Sequence, residues 1–121
     1  MAKLICVLED DNGIREILEL LFTEENYEVI GFSNVNEFMA HHEKLHPDLF
    51  LLDVMLPDGS GLEVCKIIKT AQLTKSIPVL MMSAHASLGE VKNNCLAEDF
   101  IAKPFDIFDL LKRVNTRINV A

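Results

Sequence analysis

The sequence predicts an α/β fold in which a five-stranded parallel sheet is doubly wound, with helices on both faces. Three observations carry that expectation. Leu4–Leu8 and Leu49–Leu52 are unbroken apolar runs, too short for ordinary helices, and read as strands buried on both faces. Between the strand-like runs lie stretches with apolar residues at helical spacing, so strand and helix alternate five times along the chain. Four of the five runs then end in a polar side chain: Glu9 and Asp10, Asp53, Ser83, and Lys103. Right-handed crossovers, with the most apolar strands in the middle, favour the strand order 2-1-3-4-5.

Local chemistry justifies each element in turn. Leu4–Leu8 is followed by Glu9, Asp10 and Asp11, and then by a helix with Ile14, Ile17, Leu18, Leu21 and Phe22 on one face. Asp11 or Asn12 can cap that helix, and Asn26 stands near its end. Tyr27–Phe32 alternates in character and contains Val29 and Ile30, which suits a strand nearer the sheet edge. Asn34-Val35-Asn36-Glu37 resembles a capping box, and Val35, Phe38, Met39 and Leu45 form the helical face behind it, with His42 on the same side. Leu49–Asp53 reads as the central strand, bounded by Pro47 and by a cluster of Pro57, Gly59 and Gly61. A helix from Gly61 to about Gln72 turns Leu62, Cys65 and Ile68 inward. Pro78–Met82 is a strand with proline at its entry, where the missing N–H does least harm, and it ends at Ser83. Asp99–Ala102 is a short last strand. The final helix starts at Phe105, with Asp106 as cap and Ile107, Leu110, Leu111, Val114 and Ile118 on its inner face. No repeat or linker interrupts the pattern, so residues 1–121 are expected to form one domain with a flavodoxin-like sheet.

Composition narrows the function classes. Half of the 121 residues are hydrophobic, enough for one compact core. A net charge of −8 leaves no basic footprint for nucleic acid. No apolar run approaches the roughly 18–20 residues of a membrane span, and no signal-peptide pattern precedes the first strand, so the expected location is cytoplasmic. Cys6, Cys65 and Cys95 lack metal-site spacing and are expected to be buried reduced thiols. His42 and His46 stand at i,i+4, but no carboxylate or cysteine is placed to complete a metal site with them.

In sheets of this kind ligands bind beyond the C-terminal ends of the strands. Here that rim gathers three carboxylates, a hydroxyl and a lysine. Clustered carboxylates do not all ionise without a counter-charge, and a hard divalent cation supplies one. Mg²⁺ characteristically takes one or two carboxylates plus waters and phosphate oxygens. A metal, a lysine and a small hydroxyl together suit the oxygens of a transferring phosphoryl group. A carboxylate can serve as the nucleophile and form an aspartyl phosphate. Asp53 is the strongest nucleophile candidate because it ends the most central strand. Singly, these residues have plainer roles: caps for Glu9, Asp10 and Asp53, a turn residue for Ser83, a solvated cation for Lys103. Their placement on one rim favours the chemical reading.

Four motifs stand in order at the strand ends: Leu8-Glu9-Asp10-Asp11, Leu52-Asp53-Val54-Met55-Leu56-Pro57-Asp58-Gly59-Ser60-Gly61, Met82-Ser83-Ala84, and Phe100-Ile101-Ala102-Lys103-Pro104-Phe105. With them the chain resembles a response-regulator receiver domain of two-component signalling over essentially its whole length. The resemblance implies that Asp53 accepts a phosphoryl group from a phosphohistidine on a partner histidine kinase or histidine phosphotransfer protein, with Mg²⁺ as cofactor. It implies Asp10 and Asp53 as direct metal ligands, Glu9 acting through water, and the backbone carbonyl of Met55 completing the protein's share. Lys103 would contact the phosphoryl oxygens, and the peptide before Pro104 would be cis. Ser83 and Phe100 match paired switch residues. Phosphorylation would therefore shift a population between two packings of the face built from the fourth helix, fifth strand and fifth helix.

Further implications follow from the same resemblance. Met55 and His85, two positions after Asp53 and Ser83, would influence how water reaches the phosphoryl group. Met55 hydrogen-bonds water poorly, which implies slow loss of phosphate. Nothing beyond self-phosphorylation from a donor and slow autodephosphorylation is implied as enzymatic activity. Asp99 and Arg113 match charged positions that some receivers use for phosphorylation-dependent pairing. Output would come through a downstream protein or a tethered domain, the chain being a stand-alone regulator or a piece of a larger protein.

Two other classes share such a rim. A flavin-binding module would need a phosphate cradle after the first strand, where this chain is acidic. A Mg²⁺-dependent phosphohydrolase with an aspartyl nucleophile usually carries a second acid two residues later, where this chain has Met55. One element is expected to be irregular: segment 86–96 carries Gly89, Asn93 and Asn94, and Leu96 where a glycine exit is usual. It is expected to be a short, distorted or partly unwound helix.

Overall fold

The computed structural model describes residues 2–84 and 96–119. At its centre is a parallel sheet of β1 (Leu4–Leu8), β2 (Glu28–Phe32), β3 (Leu49–Asp53), β4 (Val79–Ser83) and β5 (Asp99–Ala102). The strands lie in the order β2-β1-β3-β4-β5, as expected. Helices α1 (Asn12–Glu24), α2 (Val35–Leu45), α3 (Gly61–Thr70) and α4 (Ile107–Ile118) are described around it. Strand side chains alternate between two cores. Cys6, Leu8, Phe50 and Leu52 join Phe38 of α2 and Ile68 of α3 on one face. Ile5, Val7, Leu49 and Leu51 join Leu18 of α1 and Val114 of α4 on the other. This double burial is why β1 and β3 must be apolar at consecutive positions. Each fully buried Leu, Ile or Phe contributes about 1.5–3 kcal/mol. Among the described residues no helix is long and apolar enough to cross a membrane.

Caps set the helix starts. Asp11 accepts from the Ile14 N–H at 3.0 Å, Asn34 from Glu37 N–H at 2.8 Å, and Asp106 from Phe108 N–H at 2.7 Å. Each such cap is worth about 1 kcal/mol. Boundaries shift slightly from expectation where the turn chemistry decides. Tyr27 N–H bonds the Phe22 carbonyl at 3.0 Å and so belongs to the exit of α1, after Asn26 in the left-handed region at φ 68°. The strand therefore begins at Glu28. Helix α3 stops at Thr70 rather than Gln72, because Ala71 is extended and the buried Thr74 hydroxyl donates to the Ile68 carbonyl at 2.7 Å.

Two side-chain expectations change, at Ile17 and Cys65. Ile17 is 55 % exposed, although helical spacing put it with the core residues Leu18 and Phe22. Cys6 is a buried free thiol whose pKa burial pushes up to about 12, as expected for an inert core residue. Cys65 is buried but disulfide-bonded, not the free thiol expected, because sequence spacing does not reveal which sulfurs a fold brings together. Cys95 and His85 lie outside the described residues, as does segment 86–96 apart from Leu96, which is exposed. His42 is buried and stacks on Phe38, its Nδ1 facing the Met39 carbonyl at 3.2 Å, whereas His46 is exposed at the end of α2. The pair forms no metal clamp.

Candidate functional site

The rim is assembled from the exits of β1, β3, β4 and β5. Glu9 extends the pairing of β1 with β2, its N–H donating to the Phe32 carbonyl at 3.0 Å, and its side chain is fully buried. Both carboxylate oxygens of Glu9 are engaged. One receives the Asp11 N–H at 3.2 Å and the other the Lys103 ammonium. Asp10, next in sequence, is exposed. Asp53 ends β3 and is 6 % exposed, with one oxygen 3.3 Å from Lys103 Nζ. One oxygen from each of Glu9, Asp10 and Asp53 lies within 4.8 Å of the others. Lys103 is fixed by its own N–H, which donates to the Ser83 carbonyl at 2.8 Å, and by the cis peptide to Pro104.

The electrostatics follow from burial. Desolvation raises the Glu9 pKa to about 6, and the Asp53 charge adds to the effect, while Lys103 and the Asp11 N–H hold it back. Burial alone would lower the Lys103 pKa. Its contact with Glu9 and the charges of Asp53 and Glu9 outweigh that, so the net shift is upward and the lysine stays charged.

The donor set suits a hard divalent cation, since all three candidates offer carboxylate oxygen. Both Glu9 oxygens are engaged within the chain, so Asp10 and Asp53 are the less committed carboxylates of the cluster. They open onto a cleft of about 740 Å³ whose lining also includes Ile14, Ile17, Phe105 and Ile107. Ile17 is therefore exposed because it lines the cleft. Periodicity reads both a core face and a cleft wall as apolar, so this lining was not separable in the sequence.

The remaining expected residues are not among those lining the cleft. Ser83 is buried at the end of β4 and Phe100 is buried in the adjacent β5, where Met81 pairs with Phe100 and Ser83 with Ala102. Met55 begins a short antiparallel hairpin in which Met55–Leu56 pairs with Gly59–Ser60, and the residue is 59 % exposed. Asp99 and Arg113 already pair within the chain at 2.9 Å, and Arg113 also reaches Asp109 at 3.1 Å. Sequence reasoning missed the Arg15 guanidinium, which donates to the Glu9 carbonyl at 2.8 Å and braces the acidic turn.

The family model of the response regulator receiver domain matches residues 5–115. The phosphate regulon transcriptional regulatory protein PhoB of Klebsiella pneumoniae is 34% identical over 119 residues, covering 94% of this chain and 51% of that protein. The chain thus spans about half the length of such regulators. A putative response regulator from Chloroflexus aurantiacus J-10-fl is similar in structure with a TM-score of 0.92 at 30% identity, over 99% of this chain and 100% of the other. A CheY-like response regulator receiver domain protein from Methanospirillum hungatei JF-1 follows at 0.87 and 28%, over 98% and 95% of the two chains. The family match runs from the first strand into the last helix and takes in every element that carries the rim, so the chain belongs to the receiver domains of two-component response regulators.

Proposed function

We propose that Asp53 accepts a phosphoryl group from the phosphohistidine of a sensor histidine kinase or histidine phosphotransfer protein, in the cytoplasm. The observation that carries this reading is the buried Asp53 carboxylate, which shares Lys103 with the buried Glu9 at the edge of an open cleft. An oxygen of Asp53 forms a bond to phosphorus as the P–N bond breaks. The electron pair of that bond stays on the imidazole, which leaves neutral when its other nitrogen carries a proton. A carboxylate attacks without losing a proton, so no general base is required. Lys103 holds positive charge beside the phosphoryl oxygens. Asp10, Asp53 and the Met55 carbonyl would hold Mg²⁺, with Glu9 acting through water. The bound ion would neutralise charge that builds on the phosphoryl oxygens.

Ser83 and Phe100 act as the switch, on adjacent strands at one edge of the sheet, and bias the face that includes β5 and α4. A downstream protein or a tethered domain reads that face. In a phosphorylation-dependent dimer the Asp99–Arg113 pair would exchange its in-chain partner for one across the interface. The competing classes find no support at this site: Asp10 and Asp11 in the cleft lining would repel a flavin phosphate, and exposed Met55 occupies the place of a phosphohydrolase's second acid.

The test is direct. With Mg²⁺ and acetyl phosphate, intact-protein mass should rise by one phosphoryl group, and a chelator should prevent the gain. An unmodified mass with both present would end the reading.

The metal is tested separately. Millimolar Mg²⁺ should raise the melting temperature, because ligand at about ten times its Kd stabilises by about 1.4 kcal/mol. That corresponds to about 4–8 °C for a domain of this size. Asp10→Ala should lose most of this shift and Glu9→Ala less, since of these two Asp10 is the proposed direct ligand and Glu9 acts through water. Equal shifts in Asp10→Ala and the unsubstituted protein would remove Asp10 from the ligand set.

A further inference from the structure

The loop from β3 to α3 is tied down at three points, and one of them reaches across the fold. At its base the Val54 N–H donates to the Met82 carbonyl at 3.0 Å, and the Gly61 N–H donates to the Val54 carbonyl at 2.8 Å. In its middle, Met55–Leu56 pairs with Gly59–Ser60. At its tip Asp58 is exposed, yet both of its carboxylate oxygens are used. One accepts from the Val35 N–H at 2.7 Å and the other from the Asn36 N–H at 2.9 Å. These are the first two residues of α2, whose N–H groups have no partner within the helix. The two bonds hold the Asp58 carboxyl below the ordinary carboxylate range.

Helix α2 already has a cap in its own sequence, because Asn34 accepts from the Glu37 N–H. Asp58 therefore adds something a local cap cannot: it joins two elements more than 20 residues apart in sequence. Gly59 helps the approach, since a Cβ there would stand 3.2 Å from Val35 Cγ2. Leu56 and Val35 also pack on the same core. The hairpin that Asp58 anchors begins at Met55, two residues after Asp53.

We infer that Asp58 is a positioning residue for the metal-dependent reaction: it clamps the Met55–Ser60 hairpin to the N-terminus of α2 and so holds the Met55 carbonyl where the metal needs it. This rests on the proposed Mg²⁺ site. Asp58 touches neither metal nor phosphoryl group, and its effect passes through the hairpin backbone.

The experiment compares the unsubstituted protein, Asp58→Ala, Asp58→Asn and Asn34→Ala. Mg²⁺ is titrated without any phosphodonor, followed by amide NMR shifts of the hairpin, and urea stability is measured alongside. Asp58→Ala should raise the Mg²⁺ Kd by about tenfold, at the lower end of what losing an outer support costs a metal site. Asp58→Asn keeps one acceptor oxygen and should fall between. Asn34→Ala removes a cap from the same helix without touching the hairpin, so it should lower urea stability and leave the Mg²⁺ Kd unchanged. An unchanged Kd in Asp58→Ala overturns the inference. So does an equal weakening in Asn34→Ala, which would trace the effect to α2 stability alone. If the unsubstituted protein itself fails to bind Mg²⁺, the metal reading falls, and the inference with it.

Discussion

Asp53→Asn should take up no phosphoryl group under conditions that fully modify the unsubstituted protein. An amide oxygen is a poor nucleophile, and the substitution keeps the size and hydrogen-bonding outline of the side chain. It also removes one of the three clustered acids, so the domain should remain folded and should melt no lower without Mg²⁺. That separation makes it a cleaner probe than removing the lysine. Lys103→Ala would leave buried Glu9 with one oxygen stripped of its cation, and breaking a buried pair in that way costs about 3–5 kcal/mol. Loss of phosphorylation in Lys103→Ala would therefore mix chemistry with stability. In Asp53→Asn the two readouts, intact mass and melting temperature, should move independently. A full mass gain in this variant would place the acceptor elsewhere, with exposed Asp10 and Asp11 in the cleft lining as the next candidates.

Much of the fold was legible because its signals are local or doubly constrained. The runs at β1 and β3 are apolar at consecutive positions, and only a strand buried on both faces requires that in so short a span. Asp11, Asn34 and Asp106 are short polar acceptors placed just before apolar periodicity begins, and each caps its helix. The rim followed from topology, since parallel strands with right-handed crossovers put Glu9, Asp53, Ser83 and Lys103 at the same end.

What was not legible depends on distance in space. Ile17 has core-like spacing but lines a cleft, and the hydrophobic pattern is identical in both cases. The engagement of both Glu9 oxygens requires the turn at Asp11 and the exit of β5 to meet. The Asp58 clamp and the bonded state of Cys65 likewise depend on which atoms the folded chain brings together. Sequence spacing gives no measure of any of these.

Gly61→Ala should be the most damaging small substitution at the site, although it adds a single methyl group. Gly61 is not held at positive φ, so conformational freedom is not the reason. Space is. A Cβ at this position would lie 1.9 Å from the Asp53 carbonyl oxygen, 2.8 Å from its carbon and 3.1 Å from the Val54 Cα. All three are backbone atoms, so no side-chain rotation relieves the clash. Either the start of α3 or the end of β3 must withdraw. Withdrawal of α3 would break the 2.8 Å bond from the Gly61 N–H to the Val54 carbonyl, which seats the helix on the strand end. Withdrawal of β3 would carry Asp53 away from Lys103. Overpacking of this kind costs about 1–3 kcal/mol, and the lost hydrogen bond adds about 1 kcal/mol. The melting temperature should fall by about 6–24 °C, given about 3–6 °C per kcal/mol at this size. Phosphorylation should slow even well below that temperature, because the strain ends at the acceptor residue itself. Thermal melts and timed mass measurements on the same sample check both effects. A variant that melts and phosphorylates like the unsubstituted protein would mean that α3 does not sit this close to the end of β3.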